Sequence, residues 1–363
     1  MKVAKPVKLS VIDVAGNLAL SKPAFESFKA AFPNLVADIE YIKLTAPELP
    51  SKIKAQQMAG NLDTTLVLTG YDAMASGMDQ DIYEPLMPTY KDAFQKTIDN
   101  YTAGAKAAYD MFKGYGITMV WCPGGPMFTY NPDKIPNPPK TPAELLAWAK
   151  ANPGKFEYAR PANSGPGRAF LQGLPYILGD KNPKDPTTWD KTWAFLKELD
   201  NYIDYYPTGT GITFQELGQG TRWMLASHLG WDMQQRILAT IPANYQAFFL
   251  DHTTWVNDAH FMAIPKGLDK DRLAVTIELM KWLMMPAQQA VTFDNGYFYP
   301  GPAIKGVTLD MAPAASQVAV KGAMRAAYDE AIVKYPSTTQ LDPVALVKAM
   351  DMWDQLVGAK IKR

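Results

Sequence analysis

Cysteine is nearly missing from this chain. Its 363 residues hold one, Cys122, so no disulfide can form within it. Histidine is almost as scarce. His228, His252 and His260 form no metal-ligand pattern with Cys122, and neither a Cys/His zinc spacing nor a His-Glu-x-x-His helix occurs. Cys122 ends an apolar strand before Pro123-Gly124-Gly125, which reads as a small buried hydrophobe; a nucleophile would need a base beside it in space. Net charge is absent too. Lys+Arg and Asp+Glu number 36 each, so no basic excess points to nucleic acid or an anionic membrane. No apolar run is long enough to span a bilayer, and direct membrane insertion is not expected. The amino terminus, Met1 to Ser10, has lysines but no apolar leader core. If the chain is exported, its signal peptide has already been removed and Met1 is an addition. Nucleophile elbow, phosphate loop, internal repeat and low-complexity linker are all missing.

What is present is a long, apolar-rich chain, 47% hydrophobic, which suits two lobes better than one core. Strands are expected at 8–14, 39–44 and 64–68, with helices at 23–31 (Ser21 as cap, Pro23 in the first turn) and 50–59. Such alternation implies parallel pairing in an α/β layer structure, with ligands beyond the carboxyl ends of the strands. A helical stretch over 90–109 and a buried strand over 117–122 follow. The chain then breaks at Pro123 to Pro126 and crosses to a second lobe. Thr141-Pro142-Ala143-Glu144 is a helix start: Thr caps, Pro takes the first position and Glu reaches back. A strand is expected over 155–159, and Ser164-Gly165-Pro166-Gly167-Arg168 enters another helix. Trp189, Trp193 and Leu196 share one face of an amphipathic helix over 188–200, where core packing is the expected role of the two indoles. Further expectations are a helix over 215–229, a polar aromatic connection over 251–260, a return strand at Ala263-Ile264-Pro265, helices over 270–285 and 287–293, and a helical tail over 318–333 and 343–357.

Taken in order, several pieces resemble the extracellular solute-binding proteins of ABC importers, in the group that includes sugar, polyamine, iron and thiamine binders. The pieces are Leu62-Asp63-Thr64-Thr65-Leu66-Val67 with Tyr83-Glu84-Pro85-Leu86, and Phe128-Thr129-Tyr130-Asn131 with the Thr141 helix. Ala263-Ile264-Pro265-Lys266-Gly267, and Trp282-Leu283 with Pro286-Ala287-Gln288-Gln289 and Gly296, complete the set. Arg160-Pro161 and Ser164-Gly165 followed by Ala169-Phe170-Leu171 resemble a poorly characterised branch of that group. The resemblance implies an α/β, two-lobed periplasmic-binding-protein type II fold, each lobe a mainly parallel sheet flanked by helices, with a hinge that closes on ligand. It implies lobe one at 1–121 plus 261–297 and lobe two at 122–260 plus 298–363. It also implies a mature chain in the periplasm or at the cell surface, a membrane permease as partner, a monomer, no cofactor and no metal.

Candidate contacts follow from the loops at strand ends. Gly16 and Asn17 offer backbone N–H groups and an amide, or form a plain turn. Tyr71 and Asp72 could stack on and bond a polar ligand, while Asp72 could equally cap a helix. Ser164, Gly165 and Arg168 place a helix amino terminus and a guanidinium fork where an anionic or hydroxyl-rich ligand would fit; a tight loop with a surface ion pair is the plainer alternative. Trp255, Asn257 and Asp258 lie in the returning connection as ligand contacts or hinge packing. Trp231, Asp232, Tyr297 and Tyr299 could add aromatic faces, which suit sugar rings and cations alike. Arginine and aspartate signals conflict in sign, which tilts the expectation towards a neutral carbohydrate, polyol or sugar derivative. A polyamine- or thiamine-type cation is the alternative. A hydrolase using a carboxylate pair such as Asp232 and Asp251 is a reading of another class, against which stands the absence of any assembled catalytic motif.

Overall fold

Aliphatic and β-branched runs become the strands of two sheets in a computed structural model that describes residues 3–359. Met1 lies outside those residues. The strands are β1 (Val7–Asp13), β2 (Val36–Lys43), β3 (Leu66–Thr69), β4 (Ile117–Gly125), β5 (Met127–Tyr130), β6 (Phe156–Glu157), β7 (Met224–Ser227), β8 (Gln246–Phe248), β9 (Trp255–Ala263), β10 (Gly301–Pro302) and β11 (Ser337–Thr338). The chain divides into two compact units. One comprises Met1–Trp121, Ala259–Asp294 and Pro300–Gln317; the other comprises Cys122–Asp258, Asn295–Tyr299 and Val318–Arg363. Two of the boundaries fall inside continuous strands, β4 and β9. The sequence expectation had put 298–363 wholly in the second unit. Residues 300–317 instead belong with the first, where Gly301 pairs with Trp121 and the Thr102 amide donates to the Ala303 carbonyl at 2.8 Å.

In the first unit, strand order runs β10-β4-β9-β3-β1-β2. β1 lies parallel to β2 and β3, as alternating strands and helices predict, while β9 returns antiparallel to β3. Leu9, Val11, Ile12, Leu66, Val67 and Leu68 are fully buried, the near-continuous apolar signature of strands covered on both faces. Asp13, at the carboxyl end of β1, accepts from the amides of Ala15 (3.0 Å), Asn17 (3.1 Å) and Leu18 (2.8 Å). Its carboxylate thus satisfies donors that the following helix, Leu18–Ala31, leaves open, and it meets the positive end of the helix dipole. This corrects the expected start at Pro23 with Ser21 as cap: Ser21 lies inside the helix, its hydroxyl spent on the Asn17 carbonyl and amide oxygens. The expected stretch over 90–109 is two helices, Lys91–Asp99 and Ala103–Met111, the second capped by Thr102.

In the second unit a four-stranded sheet has the order β6-β7-β5-β8. Only β6 and β7 run parallel; β5 pairs antiparallel with both β7 and β8. Phe128 stacks on Phe248 across β5 and β8 at 4.8 Å, with Phe156 and Phe170 around them. The expected break at Pro123 is not one, since β4 continues to Gly125. Gly124 (φ +84) takes a conformation open to glycine, and a Cβ there would sit 2.0 Å from the Val256 carbonyl oxygen, so β9 can approach only a glycine. The expected helix over 215–229 also differs. Thr210–Gly218 is helical, Gly220 (φ +76) turns the chain, and Met224–Ser227 is strand β7. Tertiary burial between β5 and β6 overrides local helix propensity there. The connection expected over 251–260 is mostly strand too, all nine residues of β9 being buried. The Thr141 cap forms as expected, but Glu144 reaches the Lys140 amide rather than that of Thr141. Trp189 and Trp193 pack together at 5.6 Å in the core.

Beside β6 and β7, Arg222 Nε donates to Glu157 Oε2 (3.0 Å) and Glu216 Oε2 (2.8 Å), and its Nη1 donates to Asp204 Oδ2 (2.7 Å). Three carboxylates share one guanidinium. Burial, reinforced by the Glu216 charge, outweighs Arg222 and pushes the Glu157 carboxyl up to about 8. A carboxyl raised above its unfolded value contributes stability that is complete below that value and lost as pH rises through the folded one. Wild-type melting temperature is therefore expected to fall between pH 5 and 9. Glu157→Gln should flatten that slope and melt higher than wild type at pH 9, by about 2–4 °C for each kcal/mol of penalty removed. Parallel slopes in calorimetric scans of the two proteins would show that Glu157 does not carry the effect.

Candidate ligand-binding site

The helix Gly165–Leu178 begins where the sequence places it. Ser164 caps it, its hydroxyl accepting from the Gly167 amide at 3.1 Å and lying 2.7 Å from the Thr210 hydroxyl. A Cβ at Gly165, the first position, would lie 2.9 Å from Asp258 Oδ2, so any larger residue there makes the carboxylate shift. The helix start thus already holds a carboxylate of the chain's own, the charge its dipole attracts. Arg168, one turn on, is 4% exposed and Asp258 is 3% exposed. Both are interior groups, not the surface side chains of the plainer reading.

Around Asp258 the polar contacts are dense. Gln340 Nε2 donates to its Oδ1 at 3.0 Å, and His228 Nε2 lies 3.3 Å from its Oδ2. Gln172 Nε2 donates to Gln340 Oε1 at 3.2 Å, while Gln172 Oε1 accepts from the Leu341 amide at 2.7 Å. The fully buried His228 also sets Nδ1 3.1 Å from the Leu229 carbonyl oxygen. Cys122 Sγ sits 3.8 Å from both ring nitrogens. This juxtaposes Cys, His and Asp, yet burial first and the Asp258 charge second push the thiol well up, so it stays protonated and a poor nucleophile. Sequence reasoning set His228 aside for want of metal spacing and did not reach Gln172, Thr210 or Gln340. Only the buried polar character of Gln172 and Gln340 would have flagged them, and burial is not legible in sequence.

The remaining predicted residues divide. Trp231, half-buried, stacks on Phe214 (6.0 Å, 13°) and meets Tyr297 edge-on at 4.9 Å. The preceding Gly230 (φ +97) lets residues 296–299 approach so closely that a Cβ would lie 2.6 Å from the Tyr297 carbonyl oxygen. Tyr297 is buried and Tyr299 half-buried, with burial and Asp329 raising the Tyr299 phenol. Asp232 does not join the Asp258 cluster in any contact above: its Oδ2 accepts from Arg236 Nη2 at 3.1 Å and from the Tyr328 hydroxyl. Asp251, its supposed catalytic companion, lies on an exposed turn. Trp255 is core, its indole N–H donating to the Ala331 carbonyl at 3.0 Å. Asn257 Oδ1 accepts from the Ser337 hydroxyl at 2.9 Å.

In the first unit Gly16 (φ +74) is exposed at the turn after β1, and Asn17 is fully buried. The Asn17 amide N–H is taken by Asp13, its side-chain oxygen accepts from Ser21, and its Nδ2 lies 3.5 Å from His260 Nδ1. Tyr71 is fully buried against Phe112 and Phe261. Asp72, half-buried, opens the helix Tyr71–Asp79, its Oδ1 accepting from the Ala73 amide at 2.8 Å.

Residues 24–322 match the family model described as bacterial extracellular solute-binding protein. The chain belongs to that family. Among curated proteins, Protein YnjB of Escherichia coli (strain K12) is 28% identical over 191 residues; the match covers 48% of this chain and about half of the relative, 47%. Solved structures similar in fold include the maltose/maltodextrin-binding domain MalE of Bdellovibrio bacteriovorus bound to maltotriose, at a TM-score of 0.71 and 15% identity, covering 98% of this chain and 95% of that one. The periplasmic binding protein AfuA of Actinobacillus pleuropneumoniae, with fructose-6-phosphate, matches at 0.70 and 12%, covering 97% and 99%. A periplasmic thiamin binding protein matches at 0.66 and 16%, covering 97% and 96%. The fold of this family member is that of the two-lobed periplasmic binding proteins. Among the described residues no helix is long and apolar enough to cross a membrane, and no group of three or more His, Cys, Asp or Glu could hold a metal ion.

Gly165→Ala tests the close approach of Asp258. The added methyl must displace that carboxylate, so the variant is expected to lose about 1–3 kcal/mol in urea unfolding. A loss below about 0.5 kcal/mol would show that the carboxylate does not need the space.

Proposed function

We propose that this chain is the solute-capturing component of an ABC import system, acting in the periplasm or at the cell surface as a monomer without catalysis. Family membership supports solute capture. The observation that carries the site is the braced polar cluster at the start of the helix Gly165–Leu178. There Ser164, Gly165, Arg168 and Asp258 gather several donors and acceptors, with Asn257 on the same strand as Asp258. Asp232 and Trp255 are kept in the proposal beside this cluster, Asp232 Oδ2 bonding to Arg236 and Tyr328 and the Trp255 indole to the Ala331 carbonyl. From the first unit, the proposal retains Gly16, Asn17, Tyr71 and Asp72 at the carboxyl ends of β1 and β3.

The proposed solute is a carbohydrate, polyol or sugar derivative. Trp231, flanked by Phe214 and Tyr297, offers an aromatic surface suited to a sugar ring, with Tyr299 nearby in sequence. The Asp258 carboxylate at the helix start favours hydroxyl or ammonium donors over an anion, which reverses the preference expected from the helix terminus alone. A polyamine- or thiamine-type cation is the second reading, favoured by the same carboxylate. Capture is proposed to proceed by hinge closure of the two-lobed fold, and delivery by docking on a membrane permease.

Calorimetric titration against a panel of neutral sugars, polyols, polyamines and thiamine is expected to give a binder recovered chemically unchanged. Turnover of any hit would overturn the non-catalytic reading, and a panel without a binder would overturn the solute classes named. Arg168→Ala is expected to weaken the hit at least about tenfold, since a guanidinium fork donates charge-assisted bonds. Being buried, Arg168 should also cost stability when truncated, so the comparison is made below the variant's unfolding transition. Small-angle scattering with saturating hit is expected to show a smaller radius of gyration; identical curves would remove hinge closure.

A further inference from the structure

The family match ends at residue 322, yet the chain beyond it supplies bonds to four of the residues singled out as candidate contacts. Tyr328 donates to the Asp232 carboxylate and accepts from Arg236. The Ala331 carbonyl takes the Trp255 indole N–H, and the Pro336 carbonyl takes the Trp255 amide at 2.8 Å. Ser337 and Thr338, as β11, then pair in parallel with Trp255 and Val256. Ser337 Oγ donates to Asn257 Oδ1 and Gln340 Nε2 donates to Asp258 Oδ1. The segment is itself tied down. Lys184 Nζ donates to the Thr339 carbonyl (2.6 Å) and the Gln340 carbonyl (3.1 Å), and Gln172 holds both the Gln340 side chain and the Leu341 amide.

We propose that residues 325–341 form a strap that sets the ligand-contacting side chains of β9, with Gln340 as the positioning residue for Asp258 and Ser337 for Asn257. The inference rests on the solute-contact role proposed above for Asn257 and Asp258. Its physical basis is the soft final torsion of aspartate and asparagine, which has no sharp minimum of its own. A carboxylate plane is fixed only when each oxygen has its own partner. His228 stands at Oδ2 and Gln340 at Oδ1, so removing the Gln340 amide takes away the donor seen at Oδ1 and loosens the plane on that side. The Gln340 amide orientation is determined by its neighbours, since Nε2 faces a carboxylate and Oε1 faces the Gln172 amide nitrogen. A site whose supporting shell is loosened by a fraction of an ångström loses selectivity before it loses its fold.

The test pairs structure with binding in the full chain. Crystal structures of wild type, Gln340→Ala and Ser337→Ala are compared, and maltotriose and putrescine are titrated calorimetrically into wild type, Gln340→Ala, Asp258→Asn and the double variant. Ser337 is exposed, so its variant keeps the test alive should Gln340→Ala fold poorly. Expected are a rotated Asp258 carboxylate in Gln340→Ala and a rotated Asn257 amide in Ser337→Ala. The bound probe should weaken about tenfold in Gln340→Ala, with no further loss when that change is added to Asp258→Asn, a coupling that a merely structural role would not produce. Unmoved side chains in both variants, or losses that add in the double variant, overturn the proposal. If neither probe binds wild type, the solute assignment fails and the crystal structures alone decide: rotation upholds positioning and its absence overturns it.

Discussion

One buried strand sets the terms for much of this molecule. Every residue of β9 is buried, and it carries Asn257, Asp258 and His260 into the interior. Polar groups withdrawn from water must be bonded or they cost several kcal/mol. Each neighbour of the strand can be understood as meeting that demand. His228 and Gln340 address the two oxygens of Asp258, Ser337 addresses Asn257, and Asn17 approaches His260. Glycines stand where these groups come close: Gly124 under the Val256 carbonyl and Gly165 against Asp258.

The same demand changes what the helix termini can offer. A helix start with glycines is ordinarily a cradle for an anion. Here the helix after β1 is capped by Asp13, the helix after β3 opens with Asp72, and the helix Gly165–Leu178 begins beside Asp258. The chain has brought its own carboxylates to these ends. Asp72 and Asp258 thus put negative charge at helix starts where an anion would otherwise meet the dipole, with Arg168 in the first turn of the helix Gly165–Leu178.

Several features were legible in the sequence because local chemistry sufficed. Thr141-Pro142-Ala143-Glu144 made the expected helix start, Trp189 and Trp193 packed as a core pair, and the Ser164 cap formed at the expected residue. Features that failed were those decided by long-range pairing. Met224–Ser227 is a strand because β5 and β6 flank it, and Trp255–His260 is a strand although its polar, aromatic composition looks like a connection. Ser21 resembled a cap, but Asp13 reached the helix start first. Among the candidate contacts, Asp232 and Trp255 stand out only by position along the chain; Arg236 is one turn from Asp232 on the same helix, and Tyr328 and Ala331 arrive with the folded-back tail.

The order of caps, strands and glycines by itself determined the α/β class, the resemblance to solute-binding proteins and the helix start at Ser164. These follow from backbone preferences and apolar spacing, which act over a few residues. Tertiary structure decided which polar side chains stand in the interior and who answers them. Gln340 reaches Asp258 across 82 positions of sequence and His228 across 30, and no local rule relates residues so far apart. Only the fold brings such donors to such acceptors, because the cost of leaving a buried carboxylate unanswered is felt after the chain has closed around it.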